Sequence, residues 1–393
     1  MTGIDFALVL NLHQPAGNLD ELLSDRAWEA NEILWALDRI PRSLSACEDL
    51  GRVHLSPSGT LLETLAAPRF QERAYGVVDC GCLLWRLQNT RTIEVLGTAY
   101  YHPVLPLIPP ADREVQISRW LGIGRHLFWR DRFRGFWPPE LGFCMDLLPL
   151  IARLGYEWVI VDSEHVRPLT PMSWHELRYR PHRARVGDAE IIVVVRDREL
   201  SNAQESGMEA RWFIDEVRAR TQHCEFPPLI TTATDGDNGG WFRNTTPESN
   251  FWGSFYTELV ERARADQAGG IRPAFISDYL DRHGADGWVT VDDGAWNTGD
   301  HHGAGFNQWT GSSAQRDGLG RVAQVSEAVR AAHATVSGDA SVSELLEQAR
   351  WRLLRAETSC NFYWGEAWVP RCHRDLDGAV AHLDQALYDL GRS

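Results

Sequence analysis

The chain has 393 residues, with 39 basic and 54 acidic side chains, so its formal net charge is −15 at pH 7. This length fits one large barrel-type domain plus a second element, or two domains. The acidic excess disfavours nucleic-acid binding, because affinity for a phosphate backbone comes mostly from clustered cations. All 39 basic residues are arginine, which excludes chemistry that needs a lysine, such as a Schiff base or a P-loop lysine.

The amino-terminal segment is apolar but short, and it lacks the charged start and cleavage-type end of a signal peptide. It predicts a buried strand. Elsewhere no apolar segment approaches the roughly 18 residues that a membrane span requires. The seven cysteines follow no regular framework, which is typical of reduced thiols. We therefore expect a cytoplasmic protein with no membrane segment.

Short apolar segments alternate with helical patterns through about three quarters of the chain. This alternation predicts βα units and a mostly parallel sheet. Seven or eight such units predict a barrel or a closely related arrangement. The candidate strands are Phe6–Leu12, Arg52–Leu55, Thr92–Leu96, Gly135–Trp137, Trp158–Val161, Ile191–Val195, Leu229–Thr234 and Trp288–Val291.

The pattern changes after about residue 310. Apolar residues at three- and four-residue spacing predict helices at Ser312–Val336, Val342–Thr358 and Ala379–Leu390. We therefore predict a catalytic barrel over residues 1–310 and a helical domain over residues 311–393 that packs on it.

Polar residues follow several of the predicted strands. Functional residues of a parallel barrel lie just beyond the carboxyl ends of its strands. His13 follows the first strand, Tyr101 and His102 follow the third, and Asp162 ends the fifth. These side chains are candidates for lining a pocket.

Two carboxylates stand out in such positions. Glu140 follows two prolines in an apolar and aromatic segment, where burial of a carboxylate is costly without a function. Asp235 and Asp237 follow a later strand, with glycines and Trp241 behind them. Two carboxylates at the ends of different strands are what glycoside hydrolysis needs, one ionised and one protonated. The residues alone do not say which is which.

A calcium loop is the rival interpretation of the segment that begins at Asp235. Asp235, Asp237 and Gly240 match positions one, three and six of that motif. Gly239 does not match position five and Thr246 does not match the glutamate of position twelve. The carbohydrate interpretation is also favoured by the 17 tryptophans, whose flat faces can stack on sugar rings.

Taken together and in this order, several segments resemble glycoside hydrolase family 57. The resemblance spans almost the whole chain. The segments that carry it are His13-Gln14-Pro15, Leu55–Thr64, Gly97–Pro106, Phe136–Glu140, Arg196–Ser201, Asp235-Gly236-Asp237 and Ala356–Trp364.

The resemblance implies an α/β fold, an incomplete (β/α)7 TIM-like barrel followed by a helical domain. It implies a retaining double displacement on α-glucans, with Glu140 as nucleophile and Asp235 as acid/base, and no cofactor or metal. An oligo- or polysaccharide is the expected partner, rather than a nucleic acid or a membrane. The predicted sugar-binding side chains are His13, Tyr101, His102, Trp137, Asp162, Asp237, Trp241 and Trp296.

The chain departs from the family pattern at two positions. Members often carry a histidine where this chain has Asn11, and the usual glutamate of the D-G-E segment is Asp237. The choice between hydrolysis and transfer, the linkage and the oligomeric state are not determined by these residues.

Two other functions stay open at this point. A metal-dependent deacetylase or mannosidase-like enzyme would use histidine and aspartate ligands at strand ends, with His13, Asp162, His165 and Asp235 as candidates. A glucan-binding protein without turnover would keep the tryptophan-rich cleft.

Overall fold

The computed structural model describes residues 3–299, 303–335 and 340–390. The strands are β1 Ile4–Leu12, β2 Val53–Pro57, β3 Ile93–Val95, β4 Gly135–Phe136, β5 Trp158–Asp162, β6 Val166–Pro168, β7 His182–Val186, β8 Ala189–Arg196, β9 Leu229–Asp235, β10 Ile271–Pro273 and β11 Val289–Val291. The α-helices of the first 310 residues are α1 Asn18–Asp25, α2 Ala27–Ser45, α3 Gly59–Ala66, α4 Pro68–Ala74, α5 Cys80–Asn89, α6 Pro110–Phe128, α7 Leu148–Arg153, α8 Trp174–Tyr179, α9 Arg198–Glu205, α10 Ala210–Thr221, α11 Gly239–Arg243, α12 Glu258–Arg264, α13 Ile276–His283 and α14 Asn307–Thr310. The remaining helices are α15 Ser313–Thr335, α16 Ala340–Ala356, α17 Cys360–Tyr363 and α18 Val369–Leu390.

Within these ranges, seven parallel strands close into a barrel. Ladders join β9, β1, β2 and β3 in one sheet and β4, β5 and β8 in another. The β3–β4 gap is closed by Gly97, whose N–H donates to Gly135 O at 2.9 Å and whose carbonyl accepts from Trp137 N at 2.8 Å. The β8–β9 gap is closed by Asp197 N, which donates to Thr231 O at 2.9 Å. The predicted (β/α)7 barrel is therefore confirmed.

The remaining strands lie outside this ring. β10 pairs with the first residues of β1, and β7 pairs antiparallel with β8. The eighth candidate strand, Trp288–Val291, does not join the barrel, because Val289–Val291 pairs antiparallel with Val166–Pro168. An apolar segment of this length predicts a strand but carries no information about its partner.

Residue alternation along the strands divides the core in two. Ala7 and Val9 of β1 share a cluster with Ile160, Val194 and Ala233 from strands around the ring, so these side chains fill the barrel interior. The alternate residues of β1, from Phe6 to Leu12, pack in a second cluster with the surrounding helices. Side chains two residues apart lie on the same face of a strand. The interior side chains Val9 and Ala233 are therefore followed on the same face by Asn11 and Asp235, at the carboxyl ends of β1 and β9.

The carboxy-terminal helices extend the interior cluster. Helices α15, α16 and α18 bury apolar stripes that join the cluster of the barrel interior. The predicted helix Ser312–Val336 is Ser313–Thr335, and Val336 lies outside the described residues. The helix predicted at Ala379–Leu390 begins earlier, at Val369, because Val369, Cys372 and Leu376 continue its buried stripe. Among the described helices, none is long and apolar enough to cross a membrane.

Candidate active site

A cleft of about 490 Å³ opens at the carboxyl ends of the barrel strands. It contains both carboxylates that the sequence singled out, Glu140 and Asp235. The lining comes from the ends of β1 and β9, helices α1, α2 and α11, the loops after β3, β4 and β11, and the segment from Cys360 to Trp368. Its residues are Asn11, His13, Gln14, Pro15, Asn18, Arg26, Glu29, Ile33, His102, Glu140, Asp235, Asn238, Gly239, Arg243, Trp296, Cys360, Tyr363, Trp364 and Trp368.

Strand register positions Asp235. The β1–β9 ladder pairs Asn11 with Asp235, directly above the interior pair Val9 and Ala233. Asn11 Nδ2 donates a hydrogen bond to Asp235 Oδ1 at 2.8 Å. Burial raises the pKa of Asp235 to about 7, and the nearby charge of Glu140 adds to this effect, whereas the Asn11 hydrogen bond opposes it. A protonated Asp235 is therefore accessible near neutral pH.

Glu140 occupies a strained position in the loop after β4. Its backbone lies in the left-handed region, with φ 60° and ψ 15°, and Leu141 and His102 also have positive φ. Non-glycine residues rarely adopt this conformation, and such strain is concentrated at functional sites. Ser359 Oγ donates to Glu140 Oε1 at 2.7 Å. Burial raises the pKa of Glu140 to about 7, and the Ser359 hydrogen bond acts in the opposite direction.

Two stacked histidines line the cleft beside the carboxylates. The rings of His13 and His102 are nearly parallel, with centroids 4.1 Å apart. Burial lowers the pKa of His102 to about 3 and that of His13 well below its usual value, so both rings are neutral. His102 Nε2 lies 3.2 Å from Asn11 Oδ1, and its Nδ1 lies 3.5 Å from Glu140 Oε1. Asn11 thus contacts both His102 and Asp235, and His102 lies close to Glu140.

Of the eight predicted sugar-binding side chains, all described, His13, His102 and Trp296 line the cleft. Trp137 is fully buried beneath Trp296, with ring centroids 5.8 Å apart. Trp241 is half-buried and packs edge-on against Phe251. Trp137 therefore packs against a residue that lines the cleft, whereas Trp241 packs against a core residue that does not.

The other three predicted side chains, Tyr101, Asp237 and Asp162, do not line the cleft. Tyr101 packs edge-on against Tyr100. Asp237 is fully buried and accepts a hydrogen bond from Gln14 Nε2 at 2.8 Å. Burial, and then the charge of Asp235, raise the pKa of Asp237 to about 7.

Asp162 is engaged elsewhere. Its Oδ2 accepts from Arg196 at 2.6 Å and its Oδ1 from Arg198 at 2.8 Å, with all three side chains buried. Because one carboxylate meets two guanidinium groups, this cluster is a structural support for the ends of β5 and β8.

The candidate ligands of the metal hypothesis are not gathered into one set. Asp162 is held by its two arginines, and His165 Nε2 lies 3.0 Å from the carbonyl oxygen of Ala295. In the described parts of the chain, no group of three or more His, Cys, Asp or Glu side chains is arranged to hold a metal ion. Of the four candidate ligands, His13 and Asp235 line the cleft, whereas Asp162 and His165 do not.

The sequence reasoning missed several parts of the site, and two of them contact the carboxyl groups. One is Asn11, which it noted only as a departure from a family pattern. The other is the segment after helix α16, which supplies cleft residues from the helical domain: Cys360, Tyr363, Trp364 and Trp368, with Ser359 behind them. The segment Ala356–Trp364 resembles the family, but it follows a predicted helix. The rule that places functional residues at strand ends therefore did not apply to it.

A sequence profile of glycosyl hydrolase family 57 matches residues 33–292. The chain belongs to glycosyl hydrolase family 57. An α-amylase from Pyrococcus horikoshii is 29% identical over 202 residues, which is 51% of this chain and 29% of that protein. A 4-α-glucanotransferase from Thermococcus kodakarensis is 28% identical over 167 residues, 42% of this chain and 23% of the relative. The matched segments thus span less than a third of these relatives.

Solved structures resemble the chain over nearly its whole length. A family 57 branching enzyme from Pyrococcus horikoshii superposes with a TM-score of 0.76 at 15% identity, covering 98% of this chain and 88% of that one. The α-amylase AmyC from Thermotoga maritima gives 0.71 at 16% identity, covering 100% and 94%. At such identities the similarity shows the fold, which agrees with the predicted family 57 architecture.

Proposed function

We propose that this family 57 protein is a retaining enzyme that cleaves or transfers α-glucosidic bonds of α-glucans, with Glu140 as nucleophile and Asp235 as acid/base. The observation that supports this most directly is the pair of carboxyl groups that face one cleft, with Glu140 buried and Asp235 half-buried. The substrate class comes from the relatives, which are named as an α-amylase and a 4-α-glucanotransferase.

In the first step, a Glu140 carboxylate oxygen attacks the anomeric carbon. The bond from that carbon to the leaving glycosidic oxygen breaks, and the Asp235 proton passes to the oxygen. The products are a glycosyl ester of Glu140, an ionised Asp235 and a shortened glucan. The Asn11 hydrogen bond holds Asp235 in one orientation during this transfer.

In the second step, the Asp235 carboxylate accepts a proton from water or from a sugar hydroxyl. The resulting oxygen nucleophile attacks the anomeric carbon and releases Glu140. Water gives hydrolysis, and a sugar hydroxyl gives transfer. The exposed Trp364, beside Tyr363 at the mouth of the cleft, offers a flat surface on which an acceptor sugar can stack.

The protonation states favour this division of roles. Burial holds the pKa of both Glu140 and Asp235 near 7, and the charge of Glu140 raises that of Asp235. Two carboxyl groups that interact in this way share one proton over an intermediate pH range. Activity should therefore follow a bell-shaped pH profile centred near neutrality.

The test is mass spectrometry of the products after incubation with maltoheptaose, for the wild type and for Glu140→Gln. Only shorter sugars would show hydrolysis, whereas a series of both shorter and longer sugars would show transfer. The variant should lose either pattern, since an amide cannot act as the nucleophile.

Glu164→Gln is a matched control, because Glu164 is exposed and pairs with Arg178 outside the cleft. It should keep the wild-type pattern. An unchanged product pattern in Glu140→Gln would contradict the assigned nucleophile. A folded wild type that leaves maltoheptaose, branched glucans and α-galactosides unchanged would contradict the enzymatic proposal itself.

A further inference from the structure

Ser359 joins the helical domain to the catalytic carboxylate. It lies between helices α16 and α17 and is fully buried. Its backbone N–H donates to the carbonyl of His102 at 3.0 Å, and its hydroxyl donates to Glu140 Oε1 at 2.7 Å. One serine from outside the barrel therefore contacts the loop after β3 and the loop after β4.

The neighbouring hydrogen bonds determine where the proton of the neutral His102 ring lies. Asn11 Nδ2 donates to Asp235, so Asn11 Oδ1 is the acceptor that faces His102 Nε2 at 3.2 Å. The ring must then carry its proton on Nε2, which leaves Nδ1 as an acceptor. Nδ1 lies 3.4 Å from the Ser359 hydroxyl oxygen and 3.5 Å from Glu140 Oε1.

The Ser359 hydroxyl hydrogen consequently has two acceptors within reach. When Glu140 is ionised, the hydrogen points to its carboxylate. When Glu140 is protonated, the carboxyl O–H can donate to the Ser359 oxygen while the hydroxyl hydrogen turns toward His102 Nδ1. Since His102 is uncharged, the hydroxyl supplies stabilisation of the carboxylate that this ring does not.

We propose that Ser359 is a positioning residue, whose hydroxyl keeps the Glu140 carboxylate ionised and oriented for attack on the anomeric carbon. This inference rests on the proposed role of Glu140 as nucleophile. It also gives the helical domain a part in the reaction, since the barrel alone lacks this donor.

The variant that tests it is Ser359→Ala, which removes one oxygen from a buried side chain. We expect kcat to fall about 10- to 100-fold, the range for loss of a hydrogen bond to a charged group, with KM little changed. In the wild type, the Ser359 hydrogen bond lowers the pKa of Glu140. Loss of this bond in Ser359→Ala should raise that pKa and move the acid limb of the kcat/KM profile to higher pH. Ser359→Thr, which keeps a hydroxyl, should restore part of kcat and return the acid limb.

Thr358→Val is the control for local disturbance. Thr358 is the neighbouring residue, and its buried hydroxyl has no hydrogen-bond partner. It should leave both kcat and the acid limb unchanged. Equal losses in Thr358→Val and Ser359→Ala, or an unshifted acid limb in Ser359→Ala, would overturn the proposal.

A second measurement separates this inference from the proposed function. Glutamate labelled with ¹³C at the carboxyl carbon can be titrated by NMR without substrate, with Glu140→Gln to assign the signal. A higher Glu140 pKa in Ser359→Ala supports the role of the serine even if the wild type cleaves no glucan. An identical Glu140 titration in both proteins would overturn it even if the enzyme is active.

Discussion

The barrel and the helical domain contribute different chemistry to the same cleft. The barrel strand ends supply the ionisable groups, with Asp235 set by register and Glu140 by the loop after β4. The helical segment between Ser359 and Trp368 supplies a neutral donor and aromatic surface. The barrel thus carries the two carboxyl groups of the proposed reaction, whereas the helical segment contacts Glu140 and adds aromatic side chains to the cleft.

The two regions also use hydrogen-bond donors in parallel ways. Asn11 of β1 donates to Asp235, and Ser359 of the helical domain donates to Glu140. Each donor lowers the pKa of the carboxyl group that it contacts, against the larger effect of burial. One donor thus contacts the proposed acid/base and the other the proposed nucleophile, so their removal should affect opposite limbs of the pH profile.

The largest effect is expected from Asp235→Asn, which removes the barrel's proton donor. General acid–base catalysis contributes about 10²- to 10⁴-fold, so kcat on maltoheptaose should fall by that amount. A substrate with an activated leaving group, such as an α-glucosyl fluoride, should lose much less in the first step because its departure needs little protonation. Since Asp235 also acts in the second step, only similar losses in the rate of the first step with both substrates would mean that Asp235 does not act as the acid.

A smaller effect is expected from Asn11→Ala. In the wild type, the Asn11 hydrogen bond lowers the pKa of Asp235, so loss of this bond in the variant should raise that pKa. Since Asp235 must be protonated in the first step, the alkaline limb of the kcat/KM profile should move to higher pH, with roughly a 10-fold lower kcat. This shift is the counterpart of the acid-limb shift in Ser359→Ala. A displaced acid limb instead would contradict the division between the two donors.

The smallest effect is expected from Trp364→Ala on the helical domain. Trp364 is 60% exposed and lines the cleft. Loss of one stacking surface should raise KM for maltoheptaose about 3- to 10-fold, while kcat changes little. Trp85→Ala is the comparison, since Trp85 is 59% exposed on helix α5 and does not line the cleft. Equal KM values in the two variants would contradict the proposal that a sugar stacks on Trp364.

The predictions from sequence were strongest where strand geometry governs position. The apolar segments located the seven barrel strands, and the rule that polar groups follow strand ends brought His13, His102, Glu140 and Asp235 to one cleft. The same rule did not distinguish Asp162, which also ends a strand but turns to two arginines. A strand end determines the edge on which a residue lies, but not the partner that its side chain meets.

The tryptophans show the same limit. Trp137, Trp241 and Trp296 were all predicted to bind sugar, but Trp137 is fully buried and Trp296 lines the cleft. An indole can stack on a sugar or fill a core, and its burial depends on the elements that pack over it. Here those elements include helices that are distant in sequence.

The sequence by itself determined the barrel, the helical region and the two carboxylates, because hydrophobic periodicity and residue order are local properties of a chain. The tertiary structure alone decided that Ser359 reaches Glu140, which is 219 positions away, and that Asn11 reaches Asp235 across 224 positions. Such contacts depend on how separate elements pack together, since burial and hydrogen bonding arise only when the chain has folded. The protonation of the site is therefore a property of the assembled barrel and helices.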